Sequence, residues 1–435
     1  MKCSIFKALS VVYLLVSPLV PGVQAQTADA ASAAQQRMTL RQVLQAANHN
    51  LDVALARITL AAAQSDIAAA DHAPLPSLSA KIGSIDLQNG IGAGNILYGK
   101  RVDKGIGIDW TWERGNKRKL RVAAAQRSAQ AAQADVQDVQ SQQMLTAATA
   151  YFDLSSAQER VAQVQAIAAA TAQISATAAR RLQAGDTSRQ EVLRLEIESQ
   201  RAQADVLTAL NDRSRANLAL AQLLGMSQST TLVADPLEQS PQTTQEVDTA
   251  AWARIEQQIE QRADVRAAQE RVAAARAALE SANAQKKSDI TWGASFDHYP
   301  GTSNRLVELR MQIPLQLGYQ YQGEIARAQT QIDAAEISLD KTRRSALIEM
   351  QKLNAEATST AQRQQVYLRE ILPRAQTVAQ QAEFAYSKGA MALTDLIDAR
   401  RTLRTTQLEA LAARADHAKA ALALQIRSQA IDSFL

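Results

Sequence analysis

The sequence predicts a mainly α-helical chain with a small membrane β part, the whole pattern being written twice. Three observations predict it. Lys117 to Leu182 holds neither Gly nor Pro, so one unbroken helix there would reach about 100 Å at 1.5 Å per residue. Several short segments alternate apolar and polar residues with strict period two. Landmarks of the first half return in the second at offsets of 203 to 212 residues.

Residues 1–25 read as a secretory signal. Lys2 and Lys7 form a basic start, Ala8 to Val20 an apolar run, and Val23-Gln24-Ala25 a cleavage-site pattern. The run is too short for a permanent transmembrane helix, and no later stretch is expected to span a membrane as one. Cys3, the only cysteine, lies in the basic start. The expectation is therefore no lipid anchor, no disulfide and no cysteine metal site. Removing Lys2 and Lys7 lowers the formal charge from +4 to +2. The charges are interspersed, so no nucleic-acid partner is expected. Aromatic residues at 4% suit long Ala-rich helices packed side by side.

Residues 26–225 read as a first repeat, 226–247 as a polar linker containing Pro236 and Pro241, and 248–435 as a second repeat. Each repeat has a helix, two strands and a long helical hairpin. The landmarks are Leu51-Asp52-Val53 with Ala263-Asp264-Val265, Gly115 with Gly318, Gln126 with Gln329, and Gly185 with Gly389. The opening helix is predicted over about Thr39–Asp71 and its echo over about Thr249–Lys286; Pro74 and Pro76 stop the first.

The strands are predicted at Leu78–Gln88, Gly105–Glu113, Asp289–Tyr299 and Arg305–Leu317. In the second, Ile106, Ile108, Trp110 and Trp112 oppose Gly107, Asp109, Thr111 and Glu113. An apolar outer and polar inner face over about ten residues is the transmembrane β pattern. An ordinary half-buried sheet is the alternative, and Trp and Tyr near the strand ends favour the membrane. Four strands cannot close a barrel, for which about eight is the minimum, so several chains must contribute. A dimer or a trimer satisfies this condition.

The return helix after Leu182 carries two seams in alternating steps of three and four. One includes Val192, Leu195, Ala202, Ala209 and Leu220; the other includes Leu193, Ile197, Leu207 and Leu218. Two seams let a helix pack on both sides, as a wall of helices requires.

The four histidines, His49, His72, His298 and His417, pair with nothing at metal-ligand spacing. No phosphate loop and no nucleophile motif occurs. Neither enzyme activity nor a cofactor is expected. Two constellations remain. At the hairpin tips, Gly185 and Gly389 suit a left-handed helix stop, and a polar residue is expected to cap each following helix. Leu182 and Leu393 sit there beside cations. Asp395 and Asp398, three apart, share one helix face; a solvated face is the plain alternative.

The duplicated order, the tip RRLQAGDTSRQEVLRLE and its echo AYSKGAMALTDLIDARRTL resemble the TolC-like outer-membrane efflux proteins. The resemblance covers nearly the whole mature chain. WERGNKRKLR and TDLIDARRTLRTTQLEALAARADHAKAALA look most like the CzcC-like branch, which serves heavy-metal cation pumps. The resemblance implies a homotrimer in the outer-membrane lipid, with a shared twelve-stranded barrel and a periplasmic α-helical tunnel. It also implies an inner-membrane RND-type pump and a periplasmic adaptor, or membrane fusion protein, as partners. Adaptor docking falls on Arg181, Leu182, Gly185, Lys388, Gly389 and Leu393, and a carboxylate constriction on Asp395 and Asp398. Glu191 and Tyr386 match a network that fastens the closed entrance; Met391 replaces a basic member of that network. The function so implied is a passive exit duct for heavy-metal cations. The same channel type serving multidrug efflux or type I protein secretion is the neighbouring alternative. A periplasmic coiled-coil scaffold without a pore is the alternative of a different class.

Overall fold

The computed structural model describes residues 35–83, 88, 102–226, 231–237, 259–299 and 303–428. The expected secretory segment, residues 84–87 of the first predicted strand, 249–258 of the second predicted opening helix and most of the predicted linker lie outside the described residues.

A short strand, β1 (Gln35–Met38), leads into α1 (Leu40–Ala47) and α2 (Leu51–Ala70). The sequence predicts one helix here, and two form. Thr39 and Gln42 make a capping box for α1. The Asn50 side chain accepts from Asp52 N at 2.9 Å and starts a second helix. Asn50 Nδ2 also donates to Leu223 O at 3.0 Å, which pins the break to a neighbouring helix. By length and composition Leu40–Ala70 is apolar enough to cross a membrane, contrary to the sequence expectation; the break at Asn48–Asn50 divides it.

Two strands follow, β2 (Ser77–Gly83) and β3 (Asp103–Trp112), and then α3 (Lys117–Gln183), 67 unbroken residues as predicted. α4 (Arg189–Leu223) returns alongside it. β4 (Thr231–Ala234), inside the segment read as a linker, pairs in parallel with β1. Gln158 of α3 seals β4 by accepting from Ala234 N and donating to Leu232 O, each at 3.2 Å.

The second half gives α5 (Ala263–Ala284), β5 (Ile290–Tyr299), β6 (Ser303–Gln312) and α6 (Gln322–Val366). A π-turn at Tyr367–Ile371 joins α6 to α7 (Leu372–Ser387), and α8 (Leu393–Ser428) returns. The π-turn precedes Pro373, which has no N–H to give the helix ladder; the wider turn absorbs the misfit. β6 stops at Gln312 rather than Leu317, short of Pro314, which has no N–H for the strand ladder either.

The four predicted strands form one antiparallel sheet ordered β2-β3-β5-β6. Its apolar face is bare: Ile106, Ile108, Trp110, Trp112, Trp292, Phe296, Val307 and Leu309 are all exposed. Its polar face is covered along the central strands, where Asp297 is only 2% exposed, and open on β2 and β6, where Lys81, Glu308 and Arg310 are exposed. That inversion suits a sheet whose solvent on the outside is lipid. The main core gathers Met144, Phe152 and Leu154 of α3 with Val43, Leu220, Leu232 and Leu411. On α4 the first seam is largely buried. The second is open, with Leu193, Ile197, Leu207 and Leu218 exposed.

Candidate functional site

Both hairpin tips are built by the same backbone device. Gly185 has φ +82° and Gly389 +72°. Gly185 N donates to Leu182 O at 3.0 Å and Asp186 N to Arg181 O at 2.9 Å; at the other tip Gly389 N donates to Tyr386 O and Ala390 N to Ala385 O. These are Schellman stops, whose left-handed residue favours glycine. Nothing lies within 4 Å of a Cβ added at either glycine, so the backbone angle alone is what a side chain would strain.

The second helix starts differ. Ser188 accepts from Glu191 N at 3.2 Å and caps α4. Ala392 stands before α8, where Leu396 N reaches its carbonyl, and it has no side-chain acceptor. The polar cap predicted at both tips therefore exists only at the first.

The two tips share one apolar cluster. Ala178, Val192 and Leu195 of the first meet Ala382, Leu393 and Leu396 of the second, with Leu182, Tyr386 and Met391 packed around them. Leu393 is 3% exposed, so packing explains it, while Gly185, Lys388 and Gly389 face outward. Arg181 lies over the Tyr386 ring at 5.8 Å and Lys388 over the Phe384 ring at 5.6 Å. Glu191 accepts from its own tip's Thr187 hydroxyl. The structure thus joins Tyr386 to the first tip through Arg181, and among the described bonds none joins it to Glu191. Met391 has gone into the apolar cluster. Asp395 and Asp398 are both exposed on α8. Thr394 Oγ1 reaches Asp395 at 3.5 Å, and the negative charge of Asp398 adds to the forces that raise the proton affinity of Arg401, of which the Glu198 bond is the largest.

Sequence reasoning missed what ties the hairpins together above the tips. Arg401 and Arg404 of α8 pair with Glu198 and Asp205 of α4, the acids seven residues apart. Higher up, Arg414 meets Glu159 at 3.2 Å, Lys419 meets Asp153, and Arg427 meets Asp138 at 3.3 Å, all on α3. Burial pushes Glu198 up, but Arg401 and Arg201 outweigh it and hold the carboxyl below its ordinary value. Burial raises Asp138 in spite of Arg427. The cations recur on α8 at helical spacing, but their partners stand about 200 residues or more away in sequence. Among the described residues no cluster of His, Asp and Glu is arranged to hold a metal.

A twice-written helix–strand–strand–hairpin chain, with a sheet whose apolar face is bare, has the layout of an outer-membrane channel protein. The chain belongs to the outer membrane efflux protein family, which it matches over residues 40–226 and 254–426. It is an outer-membrane protein that extends into the periplasm. Its similarity to Protein CyaE of Bordetella pertussis is 26% identity over 303 residues, covering 66% of this chain and 62% of that protein. The fold is that of the outer-membrane channel OprN, with TM-score 0.74, 20% identity and 90% of each chain covered. VceC of Vibrio cholerae gives 0.73 and 18%, covering 90% of this chain and 96% of that one. CusC gives 0.72 and 18%, covering 88% and 91%.

Proposed function

We propose that three copies of this chain form a passive exit duct for heavy-metal cations, coupled through a periplasmic adaptor to an inner-membrane RND-type pump. The observation that carries the duct is the sheet. It is apolar outside, polar inside and open at both β2 and β6, so it closes only against other copies. Helical surface supports the same assembly. The open seam of α4 and the exposed Ile337, Ile348, Val378 and Phe384 of α6 and α7 are two different apolar stripes, as a head-to-tail ring requires.

The adaptor docks on the outward glycine tips, with Arg181, Leu182 and Leu393 holding them in position. Asp395 and Asp398 recur around the threefold axis as a carboxylate ring that narrows the entrance and attracts cations. Tyr386, and Glu191 through Thr187, brace the closed form. The heavy-metal cargo rests on the likeness of WERGNKRKLR and the α8 sequence to the CzcC-like branch, because the shared fold is silent on cargo.

Single-channel recording in a planar bilayer tests the reading. The wild type should conduct with cation preference and be blocked by multivalent cations from the entrance side. Replacing Asp395 and Asp398 together by Ala should weaken both properties and leave the trimer, seen by native mass measurement, intact. Absence of conductance would favour the scaffold. Conductance with drug rather than metal sensitivity in a deletion strain would favour the multidrug duct.

A further inference from the structure

The two central strands carry the same short pattern. β3 reads Gly105-Ile-Gly107-Ile-Asp109 and β5 reads Gly293-Ala-Ser295-Phe-Asp297. Antiparallel pairing sets Gly105 opposite Asp297, Gly107 opposite Ser295 and Asp109 opposite Gly293. Each aspartate therefore lies on the other strand's glycine. A Cβ at Gly105 would fall on Asp297 Oδ1, and one at Gly293 on Asp109 Oδ1.

The outer strands complete each row. Gly293 is flanked by Asp109 on β3 and Arg310 on β6. These residues stand two strands apart, roughly 10 Å between backbones. Arg310 Nη2 nevertheless bonds Asp109 Oδ1 at 2.6 Å, directly over the glycine. Gly105 is flanked in the same way by Lys81 on β2 and Asp297 on β5. There Lys81 Nζ reaches the Tyr299 hydroxyl at 3.3 Å and Ser295 Oγ donates to Asp297 at 2.6 Å.

We propose that these two charge–glycine–charge rows are the register key of the seam between the two halves of the chain. A one-residue slip turns every side chain to the wrong face, so the apolar pattern forbids it. A two-residue slip keeps every face, and the apolar pattern is blind to it. The rows are not blind. Slipped one way, Asp297 faces Asp103. Slipped the other way, Asp109 faces Ser295, whose β6 neighbour is Glu308, in place of Gly293 and Arg310. Like charges in line destabilise a sheet. Only the observed register sets opposite charges across a glycine in both rows, and it also lays those charges flat against the inner wall.

The inference rests on the barrel reading for what the wall encloses, but its test does not. Cys3 is the only native cysteine. Thr111 and Thr291 are register partners with hydroxyls 2.9 Å apart. A Thr111→Cys/Thr291→Cys pair in full-length protein, assembled in outer membranes, should form a disulfide efficiently. Gly293→Val should lose most of that cross-link, although Val is the better strand former. Gly293→Asp alone should lose it too. Exchanging the two residues, Asp109→Gly with Gly293→Asp, should restore it, because the carboxylate then sits beside Arg310. Full cross-linking in Gly293→Val, or an exchange no better than the single variants, overturns the key. Efficient cross-linking of the Thr111→Cys/Thr291→Cys pair beside a wild type that fails to conduct overturns the duct and leaves the key standing.

Discussion

The first hairpin and the second have the same design and different stiffness. α3 runs 67 residues without a break and buries side chains along its length, from Ala129 to Ala178. Its counterpart divides at the π-turn before Pro373, buries only Ala328, Ile332, Ala346 and Met350 in α6, and buries nothing within the turn. The first tip is capped by Ser188 and the second is uncapped. α8 is bound to the first hairpin by buried apolar residues, Leu393, Leu396, Leu411, Leu422 and Ile426 among them, and by part-exposed ion pairs beside them. The difference places the fixed frame in the first hairpin. It leaves the α6–α7 arm of the second, which buries four residues in α6, none in the turn and three in α7, as the part with fewer buried contacts, the kind that opens first.

Six substitutions, in four tests, break or sharpen that contrast. The largest effect is expected from moving the proline. Ala169→Pro, on the exposed side of α3 at the position that echoes Pro373, should cost about 3 kcal/mol. Pro373→Ala should cost nothing or stabilise, because the turn already accommodates the break. Denaturation midpoints of the assembled protein read both, and equal losses would erase the distinction between the hairpins.

Next come the caps. Ser188→Ala should destabilise by about 1 kcal/mol, and Ala392→Ser should recover a similar amount by placing a Ser-x-x-Asp start on α8. Hydrogen exchange at the two tips resolves them separately. Smaller again is Glu198→Gln, which cuts the bonds to both Arg401 and Arg201. Partly exposed pairs contribute under about 1 kcal/mol. The loss should shrink as salt rises, and a salt-independent loss would mean packing rather than charge.

The smallest effect is one of pH. His417 of α8 is buried, its ring bonds the Ala357 carbonyl, and its Nδ1 has no partner. Burial lowers its proton affinity, and the Ala357 bond opposes this only in part. The unfolded chain then binds the extra proton first. The stability His417 contributes is complete above about pH 6.5 and is lost as pH falls through the lower folded value. His417→Leu should flatten the fall in heat stability between about pH 7 and 5. An unchanged slope would assign it to groups other than His417; Glu198 is not among them, because its depressed affinity gives stability that is complete above its ordinary value of 4.5 and lost only below it.

What the sequence disclosed follows from the range of each interaction. Strand alternation, the uninterrupted α3 and the tip glycines are local, and all appear at the predicted places. The break between α1 and α2 was legible in Thr39-x-x-Gln42 followed by Asn50-x-Asp52, two start signals in one apolar run. Pro373 likewise marked the π-turn. β1 and β4 are four residues each, too short to show a period, and each finds its partner across the length of the first half. The ion pairs of α8 escaped for a similar reason. A charge on a helix surface states its sign, and the fold alone supplies its partner.

The open edges of β2 and β6 bear on how the protein comes into being. Among the described residues, a copy on its own presents a sheet with one apolar face and unpaired backbone along β2 and β6, which water disfavours and stray strands can join. On the proposed trimer those edges vanish only when three copies meet. Maturation then becomes a matter of encounter, and its yield depends on how many copies share the periplasm at once. Until that encounter each chain needs shelter, so a shortage of protective chaperones should appear as lost channels before it appears as lost synthesis.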